Sequence, residues 1–169
     1  MERGRTWEHR FEGYWRDVGT LESYWRSHMD LLQADPLLRL DEPAWPILTT
    51  SATRAPARVE RSASIDSSMV SPGCQIRGTV ERSVLGPGVV VEQGAVVRSS
   101  VLLGDSVVEA GALVSGTIVD MRARVRRGAV VGLREVPEGG CHDDDLVVLG
   151  EGVQVPPDAV VGPGSRPTR

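Results

Sequence analysis

The hydrophobic positions of this chain follow two different periods. Leu21, Tyr24, Trp25, His28, Met29 and Leu32 fall on one stripe at helical spacing. Thr20 stands where an N-cap oxygen is needed to accept an orphan backbone N–H. One amphipathic helix is predicted there, ending before Ala34, Asp35 and Pro36. His28 lies on its apolar side and reads as a packed, hydrogen-bonded histidine rather than a ligand. From about Ile65 the stride becomes six residues. It runs from Val91 to Val97, from Val108 to Val114, from Val119 through Val125 to Val131 and, after an interruption, from Val155 to Val161. The hexads "VEQGAV", "VEAGAL" and "VRRGAV" share a Gly in fourth place and an Ala in fifth.

A plain strand alternates its side chains between two faces. A repeat of six with one large and one small inward aliphatic instead requires the chain to turn a corner at every step, with Gly easing the backbone there. Three such sides close a coil, each coil hydrogen-bonds to the next, and the result is a solenoid in which no coil is stable alone. The stride slips between Val97 and Val108 and again between Val114 and Val119, and "RGTVERSVLG" is irregular. These slips read as imperfect corners. The alternative is a β-sandwich of short strands, which would show strict alternation with turn signals every 8 to 12 residues or so. The shared Gly-Ala phase favours the solenoid.

Composition divides the chain at the same place. All seven aromatic residues lie before residue 46, so the interior of the remainder is aliphatic. Residues 1–45 read as a helical unit, 46–64 as a proline-rich extended connector with Trp45 as its anchor, and 65–169 as the repeat domain with an irregular loop near 133–150. A net charge of -4 gives no reason to expect nucleic acid or an anionic membrane as partner. No apolar run approaches the ~18 residues of a membrane-spanning helix, and "MERGRTWEHR" lacks a signal-type hydrophobic segment. A cytoplasmic location is expected. Cys74 and Cys141 lie outside any C-x-x-C spacing and suggest neither zinc nor a disulfide framework.

Two clusters invite chemistry. "GGCHDDD" at 139–145 brings Cys, His and three Asp together, but neighbours in an extended loop point apart, and a solvated acidic loop is expected. His142 is the only histidine of the repeat region, and hexapeptide acyltransferases use a His as general base, which makes that the rival enzyme class. Arg122, Arg124, Arg126, Arg127 and Arg134 form a basic stretch that reads as a solvated face of the coil.

The strings "FEGYWRDVGTLESYWRSHMDLL", "WPILT", "PARV" and "SSMVSPGCQIRGTVERSVLGPGVVVEQGAVVRSSVLL" resemble, in order, the C-terminal part of the bacterial glucose-1-phosphate adenylyltransferase (ADP-glucose pyrophosphorylase) family. The match runs from about Phe11 to about Gly132 and more loosely to Gly162. The resemblance implies a catalytic α/β domain followed by a left-handed parallel β-helix. It also implies the joining of ATP and glucose 1-phosphate into ADP-glucose and pyrophosphate for glycogen synthesis. The family's Gly-rich nucleotide loop has no counterpart here. Asp17, in "YWRDVGT", matches a carboxylate ligand of the Mg²⁺ that bridges the phosphates, with Gly13 and Arg16 as structural neighbours. Family effectors bind between the two domains through arginines, and Met121 beside Arg122 stands where one of these would fall.

The resulting expectation is a mainly β chain, a left-handed parallel β-helix of hexapeptide repeats with a short N-terminal helical remnant. Its role would be the β-helix portion of the nucleotidyltransferase, inactive alone and serving assembly or regulation. No intact catalytic set and no cofactor-binding residue is expected in this chain. Mg²⁺ belongs to the family rather than to this chain alone, with Asp17 as the metal-ligand candidate. The expected partner is a second copy or a separate catalytic chain. A free-standing structural or oligomerising module and an acyltransferase using His142 are the alternatives.

Overall fold

The strands of the repeat region are two or three residues long because the chain turns a corner after each one. A computed structural model describes residue 4, residues 7–48 and residues 53–168. In chain order the first coil holds β1 (Arg58–Val59), β2 (Ser64–Asp66) and β3 (Met69–Val70), and the second holds β4 (Gln75–Ile76), β5 (Thr79–Glu81) and β6 (Val84–Leu85). The third comprises β7 (Val90–Val91), β8 (Val96–Arg98) and β9 (Val101–Leu102), and the fourth β10 (Val107–Val108), β11 (Leu113–Ser115) and β12 (Thr117–Val119). Next come β13 (Arg124–Val125), β14 (Val130–Gly132) and β15 (Val147–Leu149), then β16 (Gln154–Val155) and β17 (Val160–Val161). Every pairing is parallel, each strand bonding to the strand three places on. Three sheets of six, six and five strands result. This is the parallel β-helix that the stride predicts.

Register follows from the inward residues. Ile76, Val91, Val108, Val125 and Val155 stack on the first sheet, Val80, Val97, Val114 and Val131 on the second, and Leu85, Leu102, Val119 and Leu149 on the third. All are buried and form one continuous core. The shared Gly of the hexads sits at the corner between the first and second sheets, where Gly94, Gly111 and Gly128 have φ of 75°, 71° and 68°. That is the left-handed region in which a Cβ is disfavoured. The following Ala95, Ala112 and Ala129 are buried, so each is the small inward residue of its side.

The slips in the stride have one cause. The corner between the second and third sheets is one residue short, so Val97 to Leu102 and Val114 to Val119 are steps of five. A single left-handed residue tightens each of these corners: Ser67, Arg82 and Ser99 have φ of 43°, 45° and 43°, and Gly116 takes the same place at 58°. The residue after it, Ser68, Ser83, Ser100 or Thr117, carries a hydroxyl. Each of these hydroxyls donates to a carbonyl two residues back, at 2.6–3.0 Å. The first three also accept the backbone N–H of the equivalent residue in the next coil, each at 3.1 Å. A ladder of side-chain oxygens therefore satisfies backbone groups that the tight corner removes from the sheet.

The helix α1 (Leu21–Asp30) begins at Thr20, whose side chain accepts from the Ser23 N–H while the Ser23 hydroxyl accepts from the Thr20 N–H. This reciprocal capping box contributes about 1 kcal/mol. Its buried face is Trp25, which packs with Val101, Ile118, Cys141 and Leu146 in a second apolar cluster outside the coils. Residues 133–146 leave the coil between β14 and β15 and fold back over α1, so the spacing from Val125 to Val155 is 30 residues instead of 17. The segment before α1 is tied to its end: the Tyr14 hydroxyl donates to Asp30 Oδ2 (2.9 Å), and Arg16 pairs with the same carboxylate (2.6 Å). After β17 the chain returns beside β15, where Val148 N–H donates to Ser165 O and Gly150 N–H to Pro167 O, both 3.1 Å. The last edge of the third sheet is thereby covered.

Two expectations are corrected here. "GGCHDDD" is not simply a solvated loop, because Cys141 is fully buried under α1 and the residues around it hold the helix. Trp45 does not serve as an anchor among the described residues, because its ring is 82% exposed rather than packed.

Candidate functional site

The polar side chains singled out by sequence gather around α1. His142 Nδ1 lies 3.1 Å from Glu22 Oε2, and its backbone N–H donates to Asp145 Oδ2 (3.0 Å). The Glu22 N–H donates to Asp143 Oδ1 (2.6 Å), and Glu22 also pairs with Arg26 (2.8 Å). Arg26 donates to Gly139 O at 3.3 Å. The His and Asp of the loop therefore bind the first turn of a helix rather than converge on a common point. An acidic side chain at a helix N-terminus also complements its dipole, which suits Asp143 to this place. A Cβ at Gly140 would come within 3.0 Å of the Trp25 ring, so the loop's close approach to the indole needs a glycine there.

His28 bonds the Tyr24 carbonyl through Nδ1 at 2.8 Å and tilts against the Tyr24 ring, the packed histidine that its apolar position predicts. Burial pushes the Cys141 thiol up to about 11, with Asp145 adding to the effect. Burial raises Cys74 as well. Neither thiol is a nucleophile at neutral pH in this fold.

Asp17 lies on the irregular segment before α1 and is exposed. Among the described residues no group of three His, Cys, Asp or Glu side chains is placed to hold a metal ion. A hard oxygen at this position suits Mg²⁺ chemically, but one exposed carboxylate supplies a single ligand of an octahedral set. Its neighbour Arg16 is occupied by Tyr14 and Asp30, and these hold its guanidinium pKa above the usual value.

The basic stretch at 122–134 does not stay together. Arg122 pairs with Glu151, Arg124 with Glu109 (3.2 Å), and Arg126 donates to Gln154 Oε1 (2.7 Å). Arg134 lies instead on another corner, in a groove with Arg82 and Arg98. Sequence spacing hides this grouping, because β5 and β8 pair in register and place Glu81 opposite Arg98, 17 residues further on. The bidentate pair of Arg54 with Asp105 (2.7 and 2.9 Å), which closes the connector onto the coils, was equally invisible in the sequence.

Stacked Gly-Ala hexads closing a three-sided aliphatic core define a hexapeptide-repeat protein. The chain belongs to the GlmU-like, C-terminal hexapeptide family, whose description matches residues 51–138. It is also similar to curated enzymes that contain such a portion. It is 35% identical over 167 residues to a glucose-1-phosphate adenylyltransferase of Acetivibrio thermocellus, covering 96% of this chain and 39% of that enzyme. Against the enzyme of the same name from Streptomyces coelicolor it is 43% identical over 150 residues, 87% of this chain and 38% of the relative. A third, from Streptomyces avermitilis, is 52% identical over 91 residues, 54% of this chain and 22% of the relative. The chain matches their C-terminal hexapeptide portion and spans about two fifths of the length of the first and second of these relatives.

Proposed function

We propose that this chain is the β-helix portion of a cytoplasmic glucose-1-phosphate adenylyltransferase, inactive by itself, that serves assembly or regulation against a nucleotidyltransferase domain. Among the described residues no helix is long and apolar enough to cross a membrane, which agrees with a role beside such a domain. The observation that carries the reading is the state of the segment before α1. The helix itself is buried through Trp25, yet directly upstream Trp7, Phe11 and Trp15 are 91%, 63% and 83% exposed. Three large aromatics offered to solvent within nine residues form a surface that a partner domain would cover. Asp17 stands on the same segment, so a domain docked there would meet its carboxylate. Mg²⁺ held in such an assembly would neutralise charge on the transferring phosphoryl group. Self-association of the β-helix alongside this docking belongs to the same reading.

The test is a coupled assay of pyrophosphate release from ATP and glucose 1-phosphate. The chain alone should give no turnover. Adding the nucleotidyltransferase portion of the Streptomyces coelicolor relative should restore or stimulate it, and Asp17→Asn should reduce the restored rate. Robust turnover by the isolated chain would sink the inactive-alone reading. Absence of any complex between the two portions would sink the docking reading.

A further inference from the structure

We propose that the groove at the short corner between the second and third sheets is an anion-binding site for a small phosphate-bearing ligand. The groove has a volume of about 360 Å³, within the range of small-molecule sites. Arg82, Arg98 and Arg134 line it, brought together from two successive coils and the 133–146 loop. Guanidinium groups match phosphate oxygens bidentately and are the usual choice where such geometry must be read. Two carboxylates share the groove. Glu81 is engaged with Arg98 at 2.8 Å, and Glu135 sits on the loop. Among the described residues neither the Arg82 nor the Arg134 guanidinium has a carboxylate or other acceptor within bonding distance, the Arg82 backbone N–H alone being engaged, with Asp66 O, so two cations remain for a ligand.

A further observation points to the same place. Ser115, on the groove wall, is completely buried, and its hydroxyl has no hydrogen-bond partner. Orphaned buried hydroxyls are rare and require a partner from somewhere. Arg82 itself occupies the left-handed corner position, where the other coils place Ser67, Ser99 and Gly116. The groove lies away from Met121 and Arg122, which form the corner between β12 and β13, so this site is separate from the effector position implied by the resemblance. Glu135 could accept hydroxyl groups of an organic ester, which separates two sources of the same chemistry, free phosphate and a phosphomonoester.

The test is titration of the isotope-labelled chain with inorganic phosphate and, separately, with glycerol 3-phosphate at constant ionic strength, following backbone amide shifts. Saturable shifts are expected at Ser99, Ser115 and Glu135 and not at Glu109 or Arg127. Arg82→Gln and Arg134→Gln should each weaken binding about tenfold, the loss of a charge-assisted bidentate contact. Arg124→Gln, whose side chain is paired with Glu109 elsewhere, should leave it unchanged. Tighter binding of the ester identifies an organic ligand, whereas equal binding identifies the free oxyanion. Non-saturating shifts with either probe, or an equal loss in Arg124→Gln, would overturn the proposal. Should Arg82→Gln fail to fold, the shift map and the loop variant Arg134→Gln still decide it. None of these readouts needs adenylyltransferase activity, so the outcome is independent of the reading above.

Discussion

The indole N–H of Trp25 donates to the backbone carbonyl of Ser99 at 2.7 Å, with both residues buried. This bond joins a helix near the start of the chain to the tight corner of a coil 74 residues further on. Trp25→Phe should keep most of the apolar contact but strand the Ser99 carbonyl, costing about 1–3 kcal/mol in urea unfolding. Trp25→Ala, which also empties the cluster with Val101 and Cys141, should cost about 3–5 kcal/mol and abolish the near-UV signal of a packed indole. A loss below the scatter for both variants would mean that α1 is not docked in solution.

Ser100 is the middle of the hydroxyl ladder, donating to Arg98 O and accepting from Thr117 N–H. Ser100→Ala leaves that buried N–H without its acceptor and should destabilise by about 1–3 kcal/mol. Ser100→Thr keeps the oxygen and should lose much less. Hydrogen exchange should quicken at the Thr117 amide in the alanine variant while the Val155 amide is unaffected. Equal exchange at both would argue against a local role.

The raised Cys141 pKa sets a limit at alkaline pH. The folded thiol titrates at about 11, against an ordinary value near 9, because burial and the nearby Asp145 disfavour the thiolate. The folded state therefore holds its proton where the unfolded chain has lost it. The contribution is complete below about pH 9 and is lost as pH rises toward about 11. Cys141→Ser should flatten that part of a stability-against-pH curve. A thiol reagent at pH 8 should label the native chain only as fast as it unfolds, and rapid labelling would show that the loop opens freely.

At the other end of the pH scale, Asp105 has its pKa lowered, chiefly by the hydrogen bond from Arg54. The pair holds the connector onto the coils, so the bond is intact above the ordinary carboxylate range and is lost as pH falls through the depressed folded value. Proteolysis around residues 53–57 should accelerate in Arg54→Gln at neutral pH, while the wild-type chain should show the same change only in acid. The coils themselves should remain folded in both cases, as read by far-UV circular dichroism.

The valine stride and the Gly-Ala phase made the solenoid legible before any coordinates, because each coil repeats the same inward positions. The slips were the harder part. Val97 to Leu102 reads as noise in a six-residue count, and becomes regular only when Ser67, Arg82, Ser99 and Gly116 are aligned as left-handed corners. The signal for this was present as a Ser or Thr before an aliphatic in "SSM", "RSV", "SSV" and "GTI", but a hydroxyl shows its partner only once neighbouring coils are in register. Residues 139–145 misled for a different reason. Their acidity suggests solvent, whereas Asp143 caps a helix more than a hundred residues away and Cys141 fills the gap beside Trp25. The candidate site was least legible, since Arg82, Arg98 and Arg134 are scattered in sequence and meet only through the winding of the coil.

The brace made by α1 has a bearing on how this architecture can change in length. Trp25, midway along it, bonds Ser99 at the corner after β8, while Glu22 and Arg26 on either side are gripped by residues 139–143 of the loop that follows β14. Neighbouring coils are separated by one strand spacing, about 4.8 Å. Adding or deleting a coil between β9 and β14 would slide one grip past the other by that amount, farther than a hydrogen bond can stretch. Coils added before β1 or after β17 would leave both grips in place. The helix acts as a gauge on the middle of the solenoid, so insertions of whole repeats are tolerated at its ends and refused at its centre.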